Sequence, residues 1–302
     1  MARMTTAELR SYQQICAADG AMMVIACDQR GGMRQALTAD PAEQKAITDA
    51  MLGETKADIT RYLAFHAGCV LVDPFCAVPH LVDDGEIDRT TALLIGLDAS
   101  GFGLTPEGYR ISNMVEGITA RRVRALGGTG GKIMIYLRSD VPAANEANLA
   151  TLDAVVEDFG REDLLLVVEV LTYPLPDESK EAYAAKTAEL IEGGSRLCLE
   201  HGAKLLKIPY PGSAEACAAI TRISGDVPWA VLSAGVDHET FVGQVETAMA
   251  NGASGVIAGR SLWKDCVSLD RAETRRRLET IAVPRLRALQ AVIAKHWAKA
   301  AA

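Results

Sequence analysis

The chain has 302 residues, 49% of them hydrophobic and 23% charged, with a formal net charge of −8. This is the composition of a globular enzyme long enough to bury one large core. The acidic balance excludes the concentrated basic face that nucleic acid requires, and no apolar run reaches the ~18 residues that span a bilayer.

The first element is a helix opened by Thr5 and Glu8, spaced as a capping box, and closed by Gly20. After it, short runs rich in Val, Ile and Leu alternate with longer amphipathic stretches. Eight such runs occupy 21–28, 68–73, 91–98, 131–138, 164–171, 203–208, 229–234 and 255–258. Nearly continuous apolar runs suit parallel strands covered on both faces. Residues 99–110 hold Gly101, Gly103, Pro106 and Gly108 and read as a mobile loop over the strand ends. Helical spacing covers 181–198 and 214–223. A long helix from 271 to 297, kinked near Pro284, closes the chain.

Eight strands in β–α alternation predict an α/β fold, a single (β/α)8 TIM barrel over residues 1–302. The rival, an open doubly wound sheet, needs a glycine-rich dinucleotide turn after the first strand. The chain has Gln29-Arg30-Gly31-Gly32 there. The seven cysteines are odd in number and form no CxxC, so they read as reduced thiols of a cytoplasmic protein. No basic segment followed by a long apolar stretch opens the chain, and no signal peptide is expected.

In a barrel, function collects at the C-terminal ends of the strands. Those ends carry Asp28, Asp73, Asp98, Arg138, Glu169, Lys207, Ser233 and Arg260. Lys207, in LLKIPYP, shares its face with Leu205 and Ala203, while Lys204 points to the other side. A lysine inside a barrel is costly as a cation, and its neutral amine attacks carbonyls. Lys132 lies on the fourth run, with Met134, Tyr136 and Arg138 on the same parity. Glu169 lies on the fifth, between Val168 and Val170. Adjacent strands let Lys132, Glu169 and Lys207 meet. A second ammonium disfavours charge on the first, and a carboxylate moves protons. The bland alternative is a buried Lys–Glu–Lys network without chemistry.

LSAGVD at 232–237 and GASGVIAGRSLW at 252–263 predict an anion site on the last two strands. Ser233, Ala234, Gly235 and Gly259 are small enough for backbone N–H groups to approach a phosphate, and Arg260 adds a charged fork. The five histidines show no metal-ligand pairing. No metal and no cofactor is expected.

Together these motifs resemble the tagatose-1,6-bisphosphate aldolase family and its relatives, the sulfofructose-phosphate aldolases. The shared stretches are ACDQRGGM at 26–33, KIMIYLRSD at 132–140, VVEVLTY at 167–173 and LLKIPYP at 205–211, with LSAGVD and AGRSLW completing the set. The resemblance covers the chain from the first strand to the last. It implies a metal-independent class I aldolase with Lys207 as Schiff-base lysine, Glu169 as acid–base residue and Lys132 assisting. It puts Asp28, Gln29 and Arg30 around the substrate. The products are dihydroxyacetone phosphate and a three-carbon aldehyde.

Where the bisphosphate aldolases carry Tyr and Asp after the fourth strand, this chain has Arg138-Ser139-Asp140, as in the sulfosugar branch. Arg138 and Ser139 are therefore expected to bind a sulfonate, a phosphate being able to use the same donors, and Asp73 is a further candidate substrate ligand. The expected substrate is a phosphorylated, sulfonated ketose, with tagatose or fructose 1,6-bisphosphate as the alternative. A homo-oligomer is expected as well. Two other functions use the same fold: a non-covalent sugar-phosphate epimerase or isomerase working through Glu169 and Asp28, and a non-catalytic sugar-phosphate-binding protein.

Overall fold

A computed structural model describes the backbone of residues 3–300 and the side chains of residues 3–297. In chain order its strands are β1 Met22–Ala26, β2 Cys69–Val72, β3 Ala92–Gly96, β4 Asp98–Leu104, β5 Arg110–Met114, β6 Gly130–Tyr136, β7 Leu165–Leu171, β8 Leu206–Pro209, β9 Trp229–Leu232 and β10 Gly255–Ala258. Eight of them close a parallel barrel in the order β1-β10-β9-β8-β7-β6-β3-β2. These eight are the eight apolar runs, and the fold is the expected TIM barrel.

Strand parity explains how one sequence covers two surfaces. Met22, Val24, Cys69, Leu71, Leu94, Val167, Leu205 and Ile257 fill the barrel. Alternate residues such as Met23, Ile25, Val70, Ile95, Ile133 and Val168 pack outward against the helices. Ala203, expected on the inner face with Lys207, packs with the outer layer because β8 starts only at Leu206. The helix Thr6–Ile15 closes the barrel floor, with Ile15 joining the interior cluster. Its Thr5–Glu8 capping box is formed. It ends before Gly20, where the chain turns back so that Cys16 bridges Met22.

Two expectations are corrected. Residues 99–110 are not a loop: β4 and β5 pair antiparallel across a short turn. Glycines masked the strand pattern; Gly101 (φ +81°) and Gly108 (φ +83°) adopt backbone shapes that a strand pattern does not anticipate. The C-terminal helix is continuous but changes pitch. A wide π turn at Leu278–Ala282 joins Arg271–Arg277 to Val283–Ala300. Pro284 has no N–H to donate and its ring crowds the preceding turn, which the wider turn relieves. Among the described residues, no helix is long and apolar enough to cross a membrane.

Candidate active site

The inner parity of five strands continues upward past the apolar layers and ends in charge. Asp28 follows β1, Asp98 opens β4 directly after β3, and Lys132, Glu169 and Lys207 lie within β6, β7 and β8. Registers set their heights: Gly96 pairs with Lys132, Met134 with Glu169, and Glu169 with Lys207. The five side chains line a cavity of roughly 420 Å³ at the C-terminal mouth of the barrel.

Lys132 Nζ lies 2.9 Å from Asp28 Oδ2, 2.8 Å from Asp98 Oδ1 and 2.9 Å from Glu169 Oε2. An ammonium has three N–H donors, and each faces a carboxylate here. Lys207 Nζ lies 2.8 Å from the same Glu169 Oε2, its one hydrogen-bond partner among the described residues. One carboxylate oxygen therefore joins the two amines.

The charges of this cluster follow from its geometry. Burial works against the Lys132 cation, but Asp28, Asp98 and Glu169 outweigh it and hold the ammonium well above the usual lysine range. Burial pushes Asp28 up, but Lys132 and Lys207 draw it down to about 2. Burial also opposes charge on Glu169, yet the same two lysines hold it below the ordinary carboxylate range. Asp98 goes the other way. Its burial is only partly offset by Lys132, and the neighbouring Asp28 and Glu169 raise it further. The site thus holds two carboxyls below their ordinary range and one above it.

Of the other expected residues, Gln29, Arg30 and Arg260 line the cavity. Gln29 Nε2 donates to Asp28 Oδ1 at 3.0 Å, and Arg30 Nη2 donates to the Asp98 carbonyl at 3.1 Å. Arg260 is exposed at the end of β10. Ser233, Ala234, Gly235 and Gly259 do not line the cavity but flank Arg260. Ala234 (φ +48°) and Gly235 (φ +83°) form a left-handed turn after β9, and a side chain on Gly235 would sit 3.4 Å from the Arg260 guanidinium carbon. At Gly259 a Cβ would lie 2.7 Å from the Ala26 carbonyl oxygen, so only glycine lets β10 close against β1 there.

Three expected substrate ligands lie elsewhere. Asp73 is buried against Lys56, and its other oxygen accepts from the Phe75 and Cys76 N–H groups at 3.1 and 2.6 Å. Arg138 is fully buried. Its Nε and Nη2 hold Asp140 at 2.9 and 2.8 Å, and Nη1 reaches Glu178 and the Tyr173 carbonyl. A guanidinium so occupied has no fork left for a sulfonate. Ser139 packs on Gly193 of the helix Lys180–Glu200, where an added Cβ would meet its side chain at 2.4 Å.

The cavity also holds residues outside the expected set: Asp98, Tyr136, Met134, Leu171, Gly31, Gly32, Gln35 and Ala99, Ser100 and Gly101 of the hairpin. Asp98 was signalled as the polar end of the third apolar run. Tyr136 and Met134 share the inward parity of Lys132. Nothing in the sequence marks the hairpin residues.

Comparison with known proteins gives the family and the fold. The description DeoC/LacD family aldolase matches residues 22–265. Tagatose 1,6-diphosphate aldolase of Staphylococcus aureus strain JH9 is 25% identical over 289 residues, covering 87% of this chain and 86% of the relative. An archaeal fructose 1,6-bisphosphate aldolase superposes with a TM-score of 0.65 at 18% identity, over 95% of this chain and 98% of the other. Fructose-bisphosphate aldolase from Slackia heliotrinireducens DSM 20476 gives a TM-score of 0.66 at 18% identity, over 97% and 90%. The chain is a lyase-type enzyme and belongs to the DeoC/LacD aldolase family.

Proposed function

We propose that the chain is a class I aldolase that holds its substrate as a Schiff base on Lys207 and cleaves a ketohexose 1-phosphate to dihydroxyacetone phosphate and a three-carbon aldehyde. The unequal bonding of the two buried lysines carries this. Lys132 commits every N–H to a carboxylate and acts as a fixed charge. Lys207 has a single partner among the described residues and faces the cavity. It can pass a proton to Glu169 and present its lone pair to a carbonyl.

In this scheme the Lys207 amine attacks the C2 carbonyl. Glu169 gives the proton it took from Lys207 to the departing hydroxyl, so that water leaves, an iminium forms and the carboxylate is restored. The iminium accepts the electron pair as the C3–C4 bond breaks, while Glu169 takes the C4 hydroxyl proton, with Asp28 as the second choice. Arg260 and the turn at 233–235 hold the C1 phosphate.

The identity of the far substituent separates two substrates. The C6 anion, sulfonate or phosphate, was expected on Arg138 and Ser139, which both point away from the cavity and so do not separate the two. The relative at 25% identity is a tagatose 1,6-diphosphate aldolase. We therefore favour a ketohexose 1,6-bisphosphate, tagatose or fructose, over the sulfosugar.

Borohydride reduction in the presence of dihydroxyacetone phosphate tests the assignment. The mass of the reduced adduct is expected on the peptide holding Lys207, and to be absent in Lys207→Met. An adduct on Lys132, or none, removes it.

A further inference from the structure

β8, which carries Lys207, stands between two differently equipped arcs of the barrel. On one side β9, β10 and β1 bring up Arg260 and Arg30. On the other, β7 and β6 present Leu171 and Tyr136, with the β4–β5 hairpin packed against β6. A ketose bonded to Lys207 through C2, with its C1 phosphate at Arg260, extends its remaining carbons toward that second arc.

The hairpin places a cation behind Tyr136 of that arc, next to the cavity's lining residues rather than among them. Arg110 opens β5, and its guanidinium carbon lies 4.2 Å from the Phe102 ring centre, 5.2 Å from Tyr173 and 5.3 Å from Tyr136. It is half-buried, and no carboxylate pairs with it among the described residues. Stacking uses the faces of a guanidinium and leaves its edge donors for an oxyanion. Arg138, the cation that the sequence singled out near this arc, is saturated by carboxylates; Arg110, beside the Tyr136 hydroxyl, meets none among the described residues.

Arg110 is also not needed to fasten the hairpin. The buried Asn148 does that: its Nδ2 donates to the carbonyls of Arg110 and Tyr136, both at 2.7 Å, and its Oδ1 accepts from Ser112 N–H at 2.8 Å. The backbone under Arg110 is thereby tied to β6. Through the pairing of Met134, Glu169 and Lys207, Tyr136 stands one inward-facing position, roughly 7 Å, above Lys207. That is on the order of the span of the ketose carbons beyond C2.

We propose that Arg110 is a specificity-determining residue for the far end of the substrate, binding an oxyanion carried on C6. This rests on the aldolase function proposed above. The shared chemistry of phosphate and sulfonate suits the site.

The test compares kcat/KM of wild type, Arg110→Met, Arg110→Lys and Arg30→Met on three probes: a ketohexose 1,6-bisphosphate, a 6-deoxy-6-sulfoketohexose 1-phosphate, and the ketohexose 1-phosphate with a neutral C6 hydroxyl. In Arg110→Met the preference for a C6 anion over the neutral probe should fall about 10–100-fold, the range of one charge-assisted hydrogen-bond pair. Arg110→Lys should recover part of it. The anion with the larger loss is the one that Arg110 serves. An equal fall on all three probes would mean that Arg110 only supports the hairpin, and overturns the proposal. So does an unchanged preference, or a preference lost in Arg30→Met alone. A wild type inactive on all three probes overturns the aldolase function itself, before any variant is made.

Discussion

Asp28, Asp73 and Asp98 end three consecutive strands of the barrel, β1, β2 and β3, yet only the outer two reach the cavity. Asp28 and Asp98 meet Lys132 in a network that opens on space for a substrate. Asp73 is intercepted from behind by Lys56 of the helix Asp49–Ile59, and both groups are sealed. The residue type, strand position and inward parity are the same. The difference is whether the helical layer supplies a counter-ion before the cavity does. A charged strand end is thus an opportunity for chemistry and nothing more. Arg138 repeats the lesson, being claimed by Asp140 and Glu178.

Three measurements can break or sharpen this contrast. The largest effect is expected in the open cluster. Glu169→Gln should lower turnover by roughly 10²–10⁴. Borohydride trapping at Lys207 should persist but slow, because an amide accepts a hydrogen bond from the ammonium but not its proton. Turnover equal to wild type would remove Glu169 from proton transfer.

The next effect belongs to the sealed pair. Lys56→Met leaves Asp73 buried without its cation, which costs about 3–5 kcal/mol of folding stability. Chemical denaturation reads this directly, and KM of the folded fraction should move little. A variant of unchanged stability but lost substrate binding would merge the two clusters into one site.

The smallest effect is a pH dependence. The carboxyl of Asp28 is lowered from its ordinary 3.8 to about 2 by its two lysines, against burial. A depressed carboxyl contributes stability that is present above the unfolded value and is lost as pH falls through the folded one. Asp28 should therefore contribute on the order of 2 kcal/mol that disappears between about pH 4 and pH 2. Asp28→Asn should lose less stability than wild type over that window. Equal acid sensitivity of the two proteins would contradict the ion pairing.

Much of this could be read in the chain alone. Residue alternation determined the barrel, because a strand buried on both faces must be apolar nearly throughout and any charge at its end stands out. The same parity put Lys132, Glu169 and Lys207 on one surface. It could not rank the two lysines: the count of carboxylates around each nitrogen depends on Asp28 and Asp98, which lie more than thirty residues from Lys132 in sequence.

Contacts across the fold decided the rest. They removed Asp73, Arg138 and Ser139 from the cavity and brought in Asp98, Tyr136 and the hairpin residues Ala99, Ser100 and Gly101, with Arg110 beside Tyr136. Periodicity tells which way a side chain leaves its own strand, since that is local backbone geometry. Which partner it finds there is set by elements distant in sequence, and only the closed barrel brings those into range.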